Sequence, residues 1–370
     1  MKNKKIIYLT YQTFPAKTAN SSQSISNIRF LQKEGLDIHL YFPLREKTSN
    51  AKIKNLQQFY NFKETFNVTG LVHKYPHGKI NFFKGFWFHI SHVLWSKNVV
   101  NKYFKNENNA YFFTRSEWIA YFLSKIGKDV IFEVHQPSIL RDIILKFLKK
   151  RDNVKFIFLN ELLYKYYEPI SNYRVLHNAT QIRLGSSRKY LKEKNLIVFA
   201  GNISRFNKSR GLKEFISWFN DDFLRLNYKL EIIGGSKRDV ADLKNWISSL
   251  NLQNIIRVTE WLNQDEVFKK LSSASIGLLL NSSNNEHSLN YTSPIKYFEY
   301  LNANLTILAV DFPSHRVLPL SNRINFFKEG DKESLIEALK NLNQNKDLTK
   351  KELVEISLKN RAKQILSFLA

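Results

Sequence analysis

The sequence predicts an α/β protein built as two doubly wound domains, each a parallel sheet covered by helices on both faces. Three observations carry this prediction. The chain has 370 residues, more than a single hydrophobic core usually organises. Short β-rich runs alternate with amphipathic helical patterns in both halves, which is the cadence of a parallel sheet. A polar stretch with a Gly-Ser-Ser cluster breaks that cadence at 181–195 and reads as a linker. The expected layout is a first domain over 1–180, the linker, a second domain over 196–348 and a closing helix over 349–370.

In the first half, strands are expected in "KKIIYLTY", "LDIHLYF", "AYFFTR", "DVIFEVH", "VKFIFLN" and "YRVLHN". Helices are expected in "SISNIRFLQKEG" and "SEWIAYFLSKIG", the second closed by Gly127 in the left-handed position after its last turn. In the second half the strands are "LIVFAGN", "YKLEIIGG", "NIIRVTEWL", "SIGLLL" and "LTILAV". Helix "GLKEFISWF" follows the first of these, and "VADLKNWISSL" sets Val240, Leu243, Ile247 and Leu250 on one apolar stripe. "NQDEVFKKL" opens with a reciprocal capping pair, Asn263 and Glu266. "TSPIKYFEYLNAN" is a helix for which Ser293 is the expected N-cap and Pro294 the first helical residue. "ELVEISLKNRAKQILSFLA" is expected as one closing helix. Domains of this type carry ligand sites at the carboxyl ends of their strands, and two of them can face each other across a cleft.

Composition narrows the function. Hydrophobic residues make up 43% of the chain, which excludes a disordered protein. Lys and Arg number 57 against 32 Asp and Glu, a formal charge of +25 that attracts nucleotide diphosphates, nucleic acid or an anionic bilayer. Abundant Asn and Ile with scarce Gly make compositional bias an equal account of the lysines. Cysteine is absent, so disulfides, thiolate metal sites and Cys nucleophiles are excluded, and a reducing cytoplasm is the expected setting. The apolar run in "MKNKKIIYLTYQTF" is too short for a signal peptide and reads as a first strand, while "GFWFHISHVLW" is about half of what spans a bilayer. No Asp-x-Asp or HExxH occurs, and His89 and His92, one turn apart, have no neighbouring carboxylate in sequence, so no metal is expected. Neither an RNP-like strand, a helix-turn-helix nor a zinc signature points to nucleic acid.

Three stretches carry candidate chemistry. The amino end of "TSPIKYFEYLNAN" offers free N–H groups and a positive dipole end to a phosphate, and Lys296 and Glu299 share one face behind it. A cation beside phosphates and a carboxylate one turn deeper suit a ribose diphosphate. An ordinary capped helix with a surface Lys–Glu pair has the same spacing. In "ISRFNKSRGLKEF", Lys208 and Arg210 stand ahead of Gly211 at another helix entrance, where cations stabilise a departing diphosphate. Gly234 and Gly235 end strand "LEIIGG" and allow close backbone approach.

With these residues in view, 196–345 resembles the donor-binding domain of the retaining, GT-B-fold sugar transferases grouped as glycosyltransferase family 4. The similarity runs through "VFAGNISRFNKSRGLKEF", "LEIIGGS", "VTEWLNQDEVFKKLSSASIGLLL" and "TSPIKYFEYLNANLTILAVDFPSHR", in that family's order and spacing. The first half is similar more weakly, in "KIIYLTYQTFP", "YFFTRS", "VIFEVHQPS" and "VLHNAT", and the last helix resembles one that crosses back to the first domain. The resemblance implies transfer with retention from a nucleotide diphosphate sugar to a glycan or lipid-linked acceptor, without a metal cofactor. It implies Glu299 on the donor ribose and Lys208 and Arg210 on the diphosphate. Tyr291, Thr292 and Ser293 would surround the donor sugar and phosphates, with Trp261 near the base. His135 matches a histidine beside the transferred sugar. Arg115 and Ser22 are acceptor-side candidates.

Two departures stand out. Tyr291 occupies the place of the first of two glutamates that the family commonly separates by seven residues, and "PAKTANSSQS" replaces a glycine-rich loop. Cell-surface polysaccharide or lipopolysaccharide synthesis is the family-level expectation, in the cytoplasm with peripheral contact at the inner face of the membrane. The aromatic segment "INFFKGFWFHISHVLWSKNVVNKYF" and the basic helix "LRDIILKFLKK" could lie against anionic lipid, or pack as core with a solvated basic face. A sugar-nucleotide epimerase of similar fold and a catalytically inactive nucleotide-sugar-binding homologue are the alternatives.

Overall fold

The structure, a computed structural model, describes residues 5–80, 82–183, 190–205, 208–343 and 347–369, with no side chains for 204, 205, 208 and 209. It divides into two compact units, 1–176 with 358–370, and 177–357. The first unit contains β1 (Lys5–Leu9), β2 (Ile38–Leu44), β3 (Asn67–Val72), β4 (Ala110–Thr114), β5 (Val130–Val134), β6 (Val154–Phe158) and β7 (Tyr173–Val175). They form one sheet in the order β3-β2-β1-β4-β5-β6-β7, with Ile6 of β1 registered between Ile38 and Tyr111. Every pairing is parallel.

The second unit contains β8 (Leu196–Ala200), β9 (Ser204–Arg205), β10 (Lys208–Ser209), β11 (Lys229–Ile233), β12 (Ile256–Thr259), β13 (Ile276–Leu279), β14 (Thr306–Val310) and β15 (Ile324–Phe327). Its main sheet runs β12-β11-β8-β13-β14-β15, again parallel, while β9 and β10 pair as a small antiparallel ribbon. Because side chains alternate along a strand, β8 feeds two cores at once. Ile197 and Phe199 pack with Leu212, Phe215, Leu243 and Ile247 on one face. Leu196, Val198 and Ala200 pack with Tyr297, Phe298 and Leu301 on the other. Each fully buried aromatic such as Phe199 is worth about 2–3 kcal/mol of apolar burial. Both units are therefore doubly wound domains, as the sequence predicts.

Local signals hold where the chemistry is local. Asn263 and Glu266 form the reciprocal cap of helix Gln264–Ser273, and Gly127, at φ 76°, follows helix Glu117–Lys125. The closing segment is not one helix. It breaks into Lys350–Glu355 and Leu358–Leu369, because the Ile356 carbonyl accepts from the Thr180 N–H at 3.0 Å, where Ser357 bridges Thr180. Helix Leu358–Leu369 then rejoins the first unit, where Tyr111 Oη donates to the Leu369 carbonyl at 3.1 Å and Lys155 Nζ to that of Phe368 at 2.6 Å. Among the described residues no helix is long and apolar enough to cross a membrane.

Candidate functional site

Helix Ile295–Asn302 follows β13 through a loop that ends in a π-helical turn, His287–Tyr291. Pro294, with φ −72° and ψ 123°, holds the cap position and no side chain caps the helix, which corrects the expectation for Ser293 and Pro294. The Ser293 hydroxyl has other partners. It accepts from the Asn178 N–H at 3.0 Å and lies 3.4 Å from His177 Nδ1, while Asn178 Nδ2 donates to the Ser293 carbonyl. Thr292 and Tyr291 are buried alongside. The N-terminal turn is thus fixed by the segment that enters the second unit.

Lys296 is buried, so the pair with Glu299 is not a surface pair. Its Nζ lies 3.9 Å from the centroid of the Phe199 ring, and the Arg210 guanidinium lies 5.6 Å from the same ring. A Cβ placed on Gly201, just past the end of β8, would sit 3.7 Å from Arg210 Nη1 and 3.9 Å from Lys296 Nζ. Two cations therefore converge on one stretch of bare backbone at a strand's carboxyl end. Arg210 also donates to Asn281 Oδ1 at 2.5 Å and to the Asn202 carbonyl at 3.2 Å, which orient its guanidinium. Half-buried Glu299 completes the group. Burial raises its pKa, opposed by Arg183 and Lys296.

The glycines after β11 pack against this same loop. A Cβ on Gly234, at φ 120°, would stand 2.5 Å from the Gly201 carbonyl oxygen, and one on Gly235 would stand 2.7 Å from Ile203 Cδ1. Their close approach is to the Gly201 loop, which they press into place beside the cations. Lys208 lies in β10, and its side chain is outside the described residues. Trp261, in the loop after β12, is 44% exposed. Tyr291 Oη donates to Glu286 Oε1 at 3.3 Å, so a carboxylate stands next to the position where the sequence lacks one. Among the described residues no three His, Cys, Asp or Glu side chains group so as to hold a metal.

Residues 186–359, which include every element of this cationic group, match the family model described as glycosyl transferases group 1. No curated protein sequence matches the chain. Solved structures similar over the full length include a sucrose-phosphate synthase from Thermosynechococcus elongatus, at TM-score 0.72 and 12% identity, covering 99% of this chain and 98% of that one. A lipopolysaccharide outer core galactosyltransferase, WaaB, matches at TM-score 0.68 and 11% identity over 99% of both chains. A trehalose-6-phosphate protein from E. coli, bound with UDP-2-fluoro glucose, matches at 0.66 and 12% over 99% and 98%. At such identity the likeness shows the fold, the two-domain GT-B architecture.

The first unit carries its own polar cluster. His135, just beyond β5, sets Nε2 2.6 Å from Glu133 Oε1. Arg115 joins the same cluster: its Nη2 pairs with that Glu133 oxygen at 2.7 Å and its Nη1 donates to Asn20 Oδ1 at 2.6 Å. Arg361, from the closing helix, reaches Glu133 Oε2 at 2.7 Å and Asn27 Oδ1 at 3.0 Å. Ser22 lies in the first turn of helix Ala19–Lys33, whose cap is Thr18, so the stretch expected as a loop is largely helical. His92 Nε2 meets Ser116 Oγ at 2.5 Å and its ring stacks on Tyr11. Sequence reasoning passed over Glu133, Arg361, Asn281, Asn178 and Glu286. For Glu133 a signal existed, since a carboxylate inside the buried run "VIFEV" must be paired.

Proposed function

We propose that this protein transfers a sugar from a nucleotide diphosphate sugar to a hydroxyl of a glycan or lipid-linked acceptor, with retained configuration and without a metal. The observation that carries the reading is the convergence of Arg210 and Lys296 on the Gly201 backbone, with Glu299 one turn further along the helix. A diphosphate placed against Gly201 meets both cations and the N–H groups of helix Ile295–Asn302. Glu299 then accepts hydrogen bonds from the vicinal ribose hydroxyls. As the bond from the sugar to the diphosphate breaks, negative charge grows on the leaving phosphate, and Arg210, Lys296 and Lys208 stabilise it more strongly than in the ground state. The acceptor oxygen attacks from the leaving group's own face and its proton passes to a departing phosphate oxygen, which accounts for retention. In the first unit His135 and Ser22 serve the sugar and acceptor; in the second, Thr292, Ser293 and Gly234 serve the phosphates and Trp261 the base. A neighbour of the same fold is described with UDP-2-fluoro glucose, a donor of this class.

Synthesis of cell-surface polysaccharide or lipopolysaccharide in the cytoplasm, with the first unit resting on the inner membrane face, fits this chemistry. Helix Ile139–Leu148 supports the last point, because Ile139, Ile143 and Phe147 form an exposed stripe with Lys146, Lys149 and Lys150 near its end. The direct test is a thermal-shift panel of UDP, GDP, ADP and their sugars, followed by product analysis. Stabilisation by one nucleotide class with slow release of its diphosphate supports transfer. Interconversion of the sugar would indicate an epimerase, binding without turnover an inactive homologue, and no stabilisation by any nucleotide would overturn the reading.

A further inference from the structure

Glu133 is a fully buried carboxylate inside a strand whose other four residues are apolar. Three elements converge on it: the turn after β4 through Arg115, the end of β5 through His135, and the closing helix through Arg361. An ionised carboxylate only accepts hydrogen bonds, so the ring nitrogen facing it at 2.6 Å must be a donor. We infer that Glu133 is a positioning residue for His135: it holds the Nε2–H, leaves Nδ1 as the bare nitrogen for a substrate hydroxyl, and is itself held by Arg361. This rests on the proposed placement of His135 beside the transferred sugar.

The surrounding charges agree with a neutral ring. Glu133 is ionised despite burial because Arg115 and Arg361 hold its pKa well below the usual carboxylate range. Burial first, then Arg115 and Arg141, push the His135 pKa down to about 4, against the opposing pull of Glu133. A neutral imidazole has one N–H, and Glu133 takes it. The ring is 24% exposed where Glu133 is not exposed at all, so substrate meets the histidine and never the carboxylate. The closing helix thereby becomes part of the site, since Arg361 spans from Glu133 to Asn27 of helix Ala19–Lys33.

The test reads the tautomer directly, in a long-range proton–nitrogen correlation spectrum of the full-length protein with labelled histidine, His135 being assigned by H135N. The expected result is Nε2 protonated and Nδ1 bare from about pH 5.5 to 8. E133Q is expected to mix the tautomers and to lower kcat about a hundredfold, with the donor KM changing far less. Should E133Q fail to fold, the wild-type spectrum still decides. A proton on Nδ1, or titration of His135 in the usual histidine range, overturns the inference, as does E133Q with unchanged tautomer and kcat. The wild-type tautomer without sugar transfer would leave the inference standing and count against the proposed reaction alone.

Discussion

Replacing Lys296 with methionine distinguishes a binding cation from a structural one. Lys296 Nζ and Arg210 Nη1 both lie within 4 Å of the point where a Gly201 Cβ would stand, so they are at most about 8 Å apart. At an effective dielectric of about 20 their repulsion is at least about 2 kcal/mol. The contact with the Phe199 ring returns about 1–2 kcal/mol. Methionine keeps the apolar stem and loses both effects together with the attraction to Glu299, so the unfolding free energy of the ligand-free protein is expected to change by less than about 2 kcal/mol. Nucleotide binding should suffer instead. A charge-assisted contact to phosphate is worth about 1.5–3 kcal/mol, a tenfold to hundredfold rise in Kd at about 1.4 kcal/mol per decade. Calorimetric titration with the nucleoside diphosphate that stabilises the wild type, beside urea denaturation of the free protein, measures both. Unchanged affinity, with or without a large loss of stability, would refute this reasoning.

Three further outcomes are expected. G234A places a Cβ 2.5 Å from the Gly201 oxygen at φ 120°, so denaturation should show a loss of about 3 kcal/mol; a loss under about 1 kcal/mol would mean the loops part easily. Burial acts to raise the Glu64 pKa, but hydrogen bonds from Arg29 and Lys33 outweigh it and lower it from 4.5 to about 2. A depressed carboxylate stabilises the fold above pH 4.5 and loses that contribution as pH falls through about 2, so the deficit of E64Q, about 1 kcal/mol after solvent screening, should be full near neutrality and vanish in acid. I143S combined with F147S should abolish flotation on vesicles containing anionic lipid while moving the melting temperature little; undiminished flotation would exclude this stripe as the contact.

What could be read from the sequence followed the range of each interaction. The capping pair of Asn263 and Glu266 and the closing Gly127 hold because their partners lie within a few residues. The strands Asn67–Val72 and Ile324–Phe327 were passed over because each is a sheet edge with mixed burial and no continuous apolar run. The break at Ile356 depends on Thr180, and the pairing of Arg361 with Glu133 joins residues 228 positions apart, so no local pattern announces either. Arg210 and Lys296, read from the sequence at two helix entrances, do converge on Gly201. That Asn281 orients Arg210, and that Glu286 stands beside Tyr291, required the fold.

The central claim is that Glu299 grips the ribose of a nucleotide whose phosphates lie on Arg210 and Lys296. Its most direct test compares a nucleoside diphosphate with its 2′,3′-dideoxy analogue on wild type and on E299Q. If the claim holds, the wild type prefers the natural nucleotide by about tenfold to a hundredfold, the worth of hydrogen bonds to a charged acceptor, and E299Q loses most of that preference. Equal discrimination by both proteins would contradict it.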